Sequence, residues 1–171
     1  MSNLLADIRF EFQRHKELAD KAMESLDDET FFRRPGEAVN PIALIVKHLA
    51  GNLQSRWSDF LTSDGEKPTR NRDQEFVITP QDTRAELIGS WDRGWKTVLD
   101  TIDQLRETDL DKTITIRGEP HSARQALLRG MTHATYHVGQ ILYLARWLRP
   151  DAKWLTIAPG QSQQHAAGYR K

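Results

Sequence analysis

Three histidines give this chain the means to do metal chemistry. His133 and His137 sit in MTHATYHVGQILYLARWL, four residues apart. On a helix that spacing sends both imidazoles off one side, one turn apart. Such a pair can grip a single metal ion. His48 lies far away in sequence, in a segment of similar character, IALIVKHLAGNLQSRW. Neutral imidazoles suit zinc, nickel, copper or iron(II), and three of them leave coordination positions for water or substrate, the pattern of catalytic zinc. Each signal has a bland reading beside it. A lone His48 is more often a satisfied half-buried histidine than a ligand, and HxxxH alone on a helix is a weak motif.

The elements that must position these residues read as helices. Residues 3–26 form the first, with Leu4, Leu5, Ile8, Phe12, Ala19, Ala22 and Met23 at helical spacing. A loop or short turn follows through Arg33-Arg34-Pro35-Gly36. The second helix opens at Asn40 as cap with Pro41 in the first turn, and runs to Leu61. Its apolar stripe centres near Leu49 and Phe60, with His48 on the shoulder beside Leu44 and Asn52. The third opens at Thr79-Pro80-Gln81-Asp82, and Ile88, Trp91, Trp95, Val98, Ile102 and Leu105 form its core face. Thr113–Arg117 alternates as a short extended run ending at a Gly-Glu-Pro turn. The fourth helix starts at Ser122, with Gln125 completing a capping box, and ends at Arg149-Pro150. Leu127, Met131, Ala134, Val138, Ile141, Ala145 and Leu148 make its seam. His133 and His137 flank that seam on one shoulder, with Gly130, Gln140 and Leu144. If the starts of helices two and four share an end of the bundle, all three imidazoles come to similar depth. Both long connections can cross an end, so the topology stays open. The tail carries Trp154, Ile157 and Pro159-Gly160, then turns polar and frays.

These patterns predict one all-α domain over residues 1–171, a four-helix bundle with long inter-helix connections. The bundle core spans about 3–148 and a C-terminal tail follows over 149–171. Bundle cores commonly hold metal sites built from facing helices. The 171 residues carry 24 basic and 24 acidic side chains, for a formal net charge of zero. That balance argues against a nucleic-acid binder. There is no cysteine, which excludes disulfides, thiolate nucleophiles and cysteine-held zinc, and fits a reducing cytoplasm. No apolar run reaches the roughly 18 residues of a membrane span.

Further residues fall around the proposed centre. Asn52 is one turn after His48, and Gln140 is three residues after His137, so either could orient a ligand or a bound water. His15, near Phe12 and Ala19 on the first helix, could line the pocket. His121 and His165 sit in a loop and the tail. The connection over residues 62–80 holds Arg70, Arg72, Asp73 and Glu75. It reads either as a solvated charged loop or as a flap folding over the site. Arg70 and Arg72 could then take an anionic substrate bidentately. No carboxylate shares the histidine shoulders, so no general base is evident. Tyr136, Gly139 and Tyr143 lie away from the seam, packed against the tail or first helix, or at a dimer contact.

The segments IVKHLAGNLQSRW, TYHVGQILYLARWL and RNRDQEF, with the tail WLTIAPGQS, resemble the DinB/YfiT-like superfamily of four-helix bundles, specifically an uncharacterised DinB-like branch. The resemblance covers approximately residues 3–162. It implies a three-histidine divalent-metal site at His48, His133 and His137, zinc or nickel as the ion, and a homodimer. Other members of that superfamily are thiol-dependent, which implies a low-molecular-weight thiol cosubstrate, since the chain supplies no thiol of its own. The function read from this is a divalent-metal-binding protein acting as a metal-dependent thiol S-transferase-like enzyme in the cytoplasm. The alternatives are a non-catalytic, stress-related metal- or ligand-binding dimer, and a structural dimer whose histidines are simply packed.

Overall fold

The computed structural model describes residues 3–168. Of the domain and tail expected over 1–171, residues 1–2 and 169–171 lie outside the described residues. Four long helices form the bundle: α1 (Leu4–Glu24), α3 (Ile42–Trp57), α4 (Arg84–Gln104) and α5 (Ala123–Leu148). Two short ones accompany them, α2 (Asp28–Phe32) after α1 and α6 (Ser162–Gly168) in the tail. An antiparallel hairpin, β1 (Thr113–Ile116) and β2 (Glu119–Ser122), precedes α5. The fold is all-α in character, with the hairpin as its one sheet among the described residues.

Capping explains most boundaries. Asn3 accepts from the amides of Leu5 and Ala6 at the start of α1. Ser122 and Gln125 form the expected capping box on α5. Asp27 ends the first helix early by capping α2, which buries Phe31. The second long helix begins one residue later than expected, at Ile42, and Asn40 makes no cap; the Pro41 carbonyl takes the first amides. It stops at Trp57, short of Leu61, because Ser58 is extended and Asp59 turns left-handed at φ 49°. The start of α4 also shifts: Thr83 caps at Arg84, while Thr79 and Asp82 close a separate turn. Residues 113–116 form the expected extended run, and Arg117 and Gly118, both at positive φ, make the two-residue hairpin turn. The tail end forms α6, where fraying was expected, though its described side chains stay exposed.

Contacts along the helices settle the topology. Lys47 near the start of α3 reaches Asp82 just before α4, and Thr101 near the end of α4 reaches the Trp57 carbonyl at the end of α3. The two helices therefore run parallel. Arg9 meets Asp103 and Asp20 meets Trp91, so α1 and α4 are antiparallel. Trp57 at the end of α3 packs on Gly130 in the first third of α5, so those two are antiparallel as well. The condition on helix starts is thus not met, since the starts of α3 and α5 lie at opposite ends. The histidines still meet, because the pair on α5 occupies the middle of a longer helix.

The core is aromatic. Phe12 packs edge-on to Trp57 and Trp95, Trp91 packs on Trp95, and Phe60 stacks on Trp57. Both tryptophans of α4 are fully buried, as their spacing predicts. Helix α3 is buried almost all round, from Ile42 to Trp57, because α4, α5 and the long connection enclose it. That enclosure is why its apolar stripe looks wide for a bundle helix.

Candidate metal centre

His48, His133 and His137 converge. One ring nitrogen from each lies within 4.8 Å of the others. The ring centroids are 5.5 Å apart for His48 and His133, 5.0 Å for His48 and His137, and 4.6 Å for the pair on α5. His48 is buried and the other two are half-buried.

Each ring is oriented differently. His48 Nδ1 lies 2.8 Å from Glu75 Oε2. An ionised carboxylate only accepts, so Nδ1 is the donor and Nε2 is the nitrogen left to face a ligand. His137 Nδ1 lies 2.8 Å from Gln140 Oε1, which fixes the same tautomer. His133 has no such partner: its Nδ1 is buried without a hydrogen bond among the described residues. Burial first, then the nearby His137 and His48, push the His133 ring down to about 3. Burial also lowers His137, partly offset by Gln140. The His133 and His137 rings are therefore neutral near pH 7, with lone pairs on offer. A buried, unpartnered imidazole nitrogen beside two oriented imidazoles fits a divalent ion, and hydrogen bonds of this kind on the far ring nitrogen accompany most histidine ligands.

Glu75 corrects the expectation that no carboxylate attends the histidines. It comes from the RNRDQEF stretch, which folds over α3 as a short 3-10 turn, Asp73–Phe76. The flap reading of that loop is therefore the one the structure adopts. Phe76 covers His48 at 4.7 Å between rings. The Glu75 side chain is only 9 % exposed and also accepts two hydrogen bonds from Arg70, at 2.7 and 2.8 Å. Burial alone would raise its carboxyl, but the bonds from His48 and Arg70 and the charge of Arg70 outweigh that and hold it below its ordinary value. Gly51, one turn into this contact on α3, has no Cβ to collide with that carboxylate.

The other expected residues divide. Arg70 is 4 % exposed and spends its guanidinium on Glu75 and Glu66, so it is a clamp on the loop and not a free anion receptor. Arg72 is exposed and stacks over Phe76 at 5.2 Å. Asn52 is buried beside His48 and faces a cavity. His15 turns back to its own helix, its Nδ1 2.6 Å from the Glu11 carbonyl, and lines neither cavity at the centre. Tyr136 stands against His133 and His137 and Tyr143 is 72 % exposed, so neither is buried against the tail or α1.

Two cavities open onto the cluster. One, about 430 Å³, contains His48, His133, Asn52 and Tyr136 and is edged by arginines. The other, about 410 Å³, is largely apolar, with Val39, Ile45, Phe76, Tyr143 and Leu144 around His48 and His137. No carboxylate lines either one. Arg56 and Arg129 of the first cavity were not singled out in the sequence; Arg56 had a signal, since it continues the His48–Asn52 line by one more turn.

Residues 1–161 match the family described as protein of unknown function, DUF1572. The chain belongs to this family. The DUF1572 chain also has a DinB-like fold. It is similar to a DinB-like protein, YjoA, from Bacillus subtilis at 17 % identity and TM-score 0.65, over 88 % of this chain and 96 % of that one. A conserved protein from Enterococcus faecalis is similar at 14 % identity and TM-score 0.68, over 88 % of this chain and 99 % of that one. No curated protein matches the sequence. No helix among the described residues is long and apolar enough to cross a membrane.

Proposed function

We propose that this protein binds one divalent metal ion, zinc or nickel, through His48, His133 and His137, and is a metal-dependent enzyme. The observation that carries the reading is the buried, unpartnered Nδ1 of His133 within a cluster of three imidazoles. When bound, such an ion lowers the pKa of a coordinated thiol or water and supplies a nucleophile at neutral pH. Glu75 and Gln140 hold two of the rings in one tautomer. Phe76 shields His48 from water on the loop side. The two cavities favour catalysis over storage, because each gives a reactant its own route to the cluster. With no cysteine in the chain, a transferred thiol is a small cosubstrate. Tyr136, beside His133 at the cavity wall, is placed to hydrogen-bond a bound reactant.

A cytoplasmic homodimer completes the reading. It is supported by the exposed apolar side chains Leu128, Tyr143 and Trp147 on α5, and by the absence of cysteine. The test is elemental analysis of untagged protein beside the His133→Ala variant. Close to one ion per chain, lost in the variant, is expected. Equal metal content in both would end the proposal. A screen of thiols with electrophiles then separates an S-transferase from a silent metal binder.

A further inference from the structure

Five arginines surround the cavity on the Tyr136 side of the histidines: Arg56, Arg70, Arg72, Arg117 and Arg129. Arg70 is spent on Glu75 and Glu66, and Arg72 lies on Phe76. The remaining three are short of counter-charge. Glu66 sits behind them, 3.1 Å from Arg70, 3.4 Å from Arg117 and 3.9 Å from Arg56. One carboxylate is thus divided among three guanidiniums. Among the described residues Arg129 has no carboxylate partner, and meets His121 Nε2 at 2.9 Å.

Arg56 is the most telling of these. Its side chain is 11 % exposed, yet its guanidinium makes no hydrogen bond to any described residue. Burial, then repulsion from Arg129, lowers its pKa below the ordinary arginine value. Asn52 repeats the pattern one turn earlier on α3. It is 7 % exposed, faces the same cavity, and its amide has no partner among the described residues. The polar ends of both side chains open onto the cavity, where a ligand can complete their bonding. His48, Asn52 and Arg56 follow one another at four-residue intervals, so they form a line along α3 leading away from the metal centre.

We propose that this cavity binds the anionic end of the substrate, a small organic molecule with a carboxylate or phosphate group, held by Arg56, Arg129 and Asn52. An arginine fork matches either group through two parallel hydrogen bonds. The Asn52 amide adds a neutral donor nearer the metal. Arg117 reaches the rim from the hairpin turn, whose amides at Arg117 and Gly118 are both held by Asp64 at 2.8 Å. The cavity volume of about 430 Å³ suits a small molecule. The zero net charge of the chain disfavours a nucleic acid. Two helix turns from His48 to Arg56 give a rise of about 12 Å, so the reacting group and the anionic group are separated by a spacer of several atoms.

That the anion belongs to the substrate rests on the metal-enzyme reading; the anion site itself does not. The test is a titration of the full-length protein with inorganic phosphate and with malonate at constant ionic strength, read by calorimetry and by thermal shift. Wild type, Arg56→Gln, Arg129→Gln, Arg72→Gln and His133→Ala are compared, with metal content measured in each. Saturable binding of at least one anion is expected. It weakens about ten- to hundredfold in Arg56→Gln and by a smaller factor in Arg129→Gln. Arg72→Gln binds as wild type does. Phosphate alone would assign a phosphorylated substrate, malonate alone a carboxylate, and both the shared chemistry. His133→Ala loses metal but keeps the anion. An anion site without metal in any sample would leave the cavity assignment standing and remove the metal-enzyme reading. No saturable binding, or equal weakening in the Arg56, Arg129 and Arg72 variants, would overturn the proposal. If Arg56→Gln does not fold, Arg129→Gln against Arg72→Gln decides alone.

Discussion

Replacing Glu75 with glutamine should damage stability and metal affinity together. The carboxylate accepts one hydrogen bond from His48 and two from Arg70, with little solvent nearby. Removing one partner of a buried charge pair costs about 3–5 kcal/mol. Arg70 keeps Glu66 at 3.1 Å, and the glutamine oxygen can still accept from one side, so about 2–3 kcal/mol is expected here. The glutamine NH2 must then face either the His48 N–H or the Arg70 fork, donor against donor. In a chain of this size each kcal/mol lowers the Tm by about 2–4 °C, giving a fall of about 4–12 °C in metal-free protein. Loss of the bond that orients a ligand histidine lowers metal affinity by about 10–100-fold. Thermal melts in chelator and chelator-competition titrations read the two effects separately. A variant with an unchanged Tm and an affinity within about threefold of wild type would refute the role given to Glu75.

Gly130→Ala places a Cβ 2.7 Å from Trp57 Cζ2. It should cost about 1–3 kcal/mol in denaturant melts, and weaken metal binding by pushing α5 off α3 one turn before His133. Gly139→Ala, on the same helix with nothing within 4 Å, should instead raise stability by about 0.5–1 kcal/mol, seen as a higher midpoint at unchanged slope. In metal-free protein the folded His133 ring takes its proton only near 3, while the unfolded ring takes it near its ordinary 6.5. The unfolded chain therefore binds more protons between these values, and stability falls as pH drops from 6.5. Melts across this range should show that slope in wild type and a shallower one in His133→Leu; equal slopes would contradict it.

Much of the bundle is written in local pattern. The Ser122–Gln125 box, the α4 stripe through Trp91 and Trp95, and the alternation at Thr113–Ile116 each carry a period or a cap that survives in the structure. The histidine cluster was also legible, because two ligand candidates share one helix face and the third lies on an apolar helix. What was hidden depends on non-local placement. Nothing in RNRDQEF says which charge turns inward; only the fold shows Glu75 and Arg70 buried while Arg72 and Asp73 stay in water. Arg56 resembles any polar residue near a helix end until α5 and the hairpin enclose it. Gly51 and Gly130 look like weak points in helices, yet each makes room for a neighbouring side chain.

The parallel course of α3 and α4 has its own consequence. A chain leaving the bottom of one helix must travel back to the top before starting the next. The sixteen residues of α3 set that climb at about 24 Å. Roughly seven or eight extended residues would cover it. Residues 58–83 use far more, and the surplus is the part that turns inward to deliver Arg70, Glu75 and Phe76 to His48. Topology and chemistry therefore set different minimum lengths for one connection. A shortened version could still join the helices and complete the bundle, while leaving it without the carboxylate that steers its central histidine.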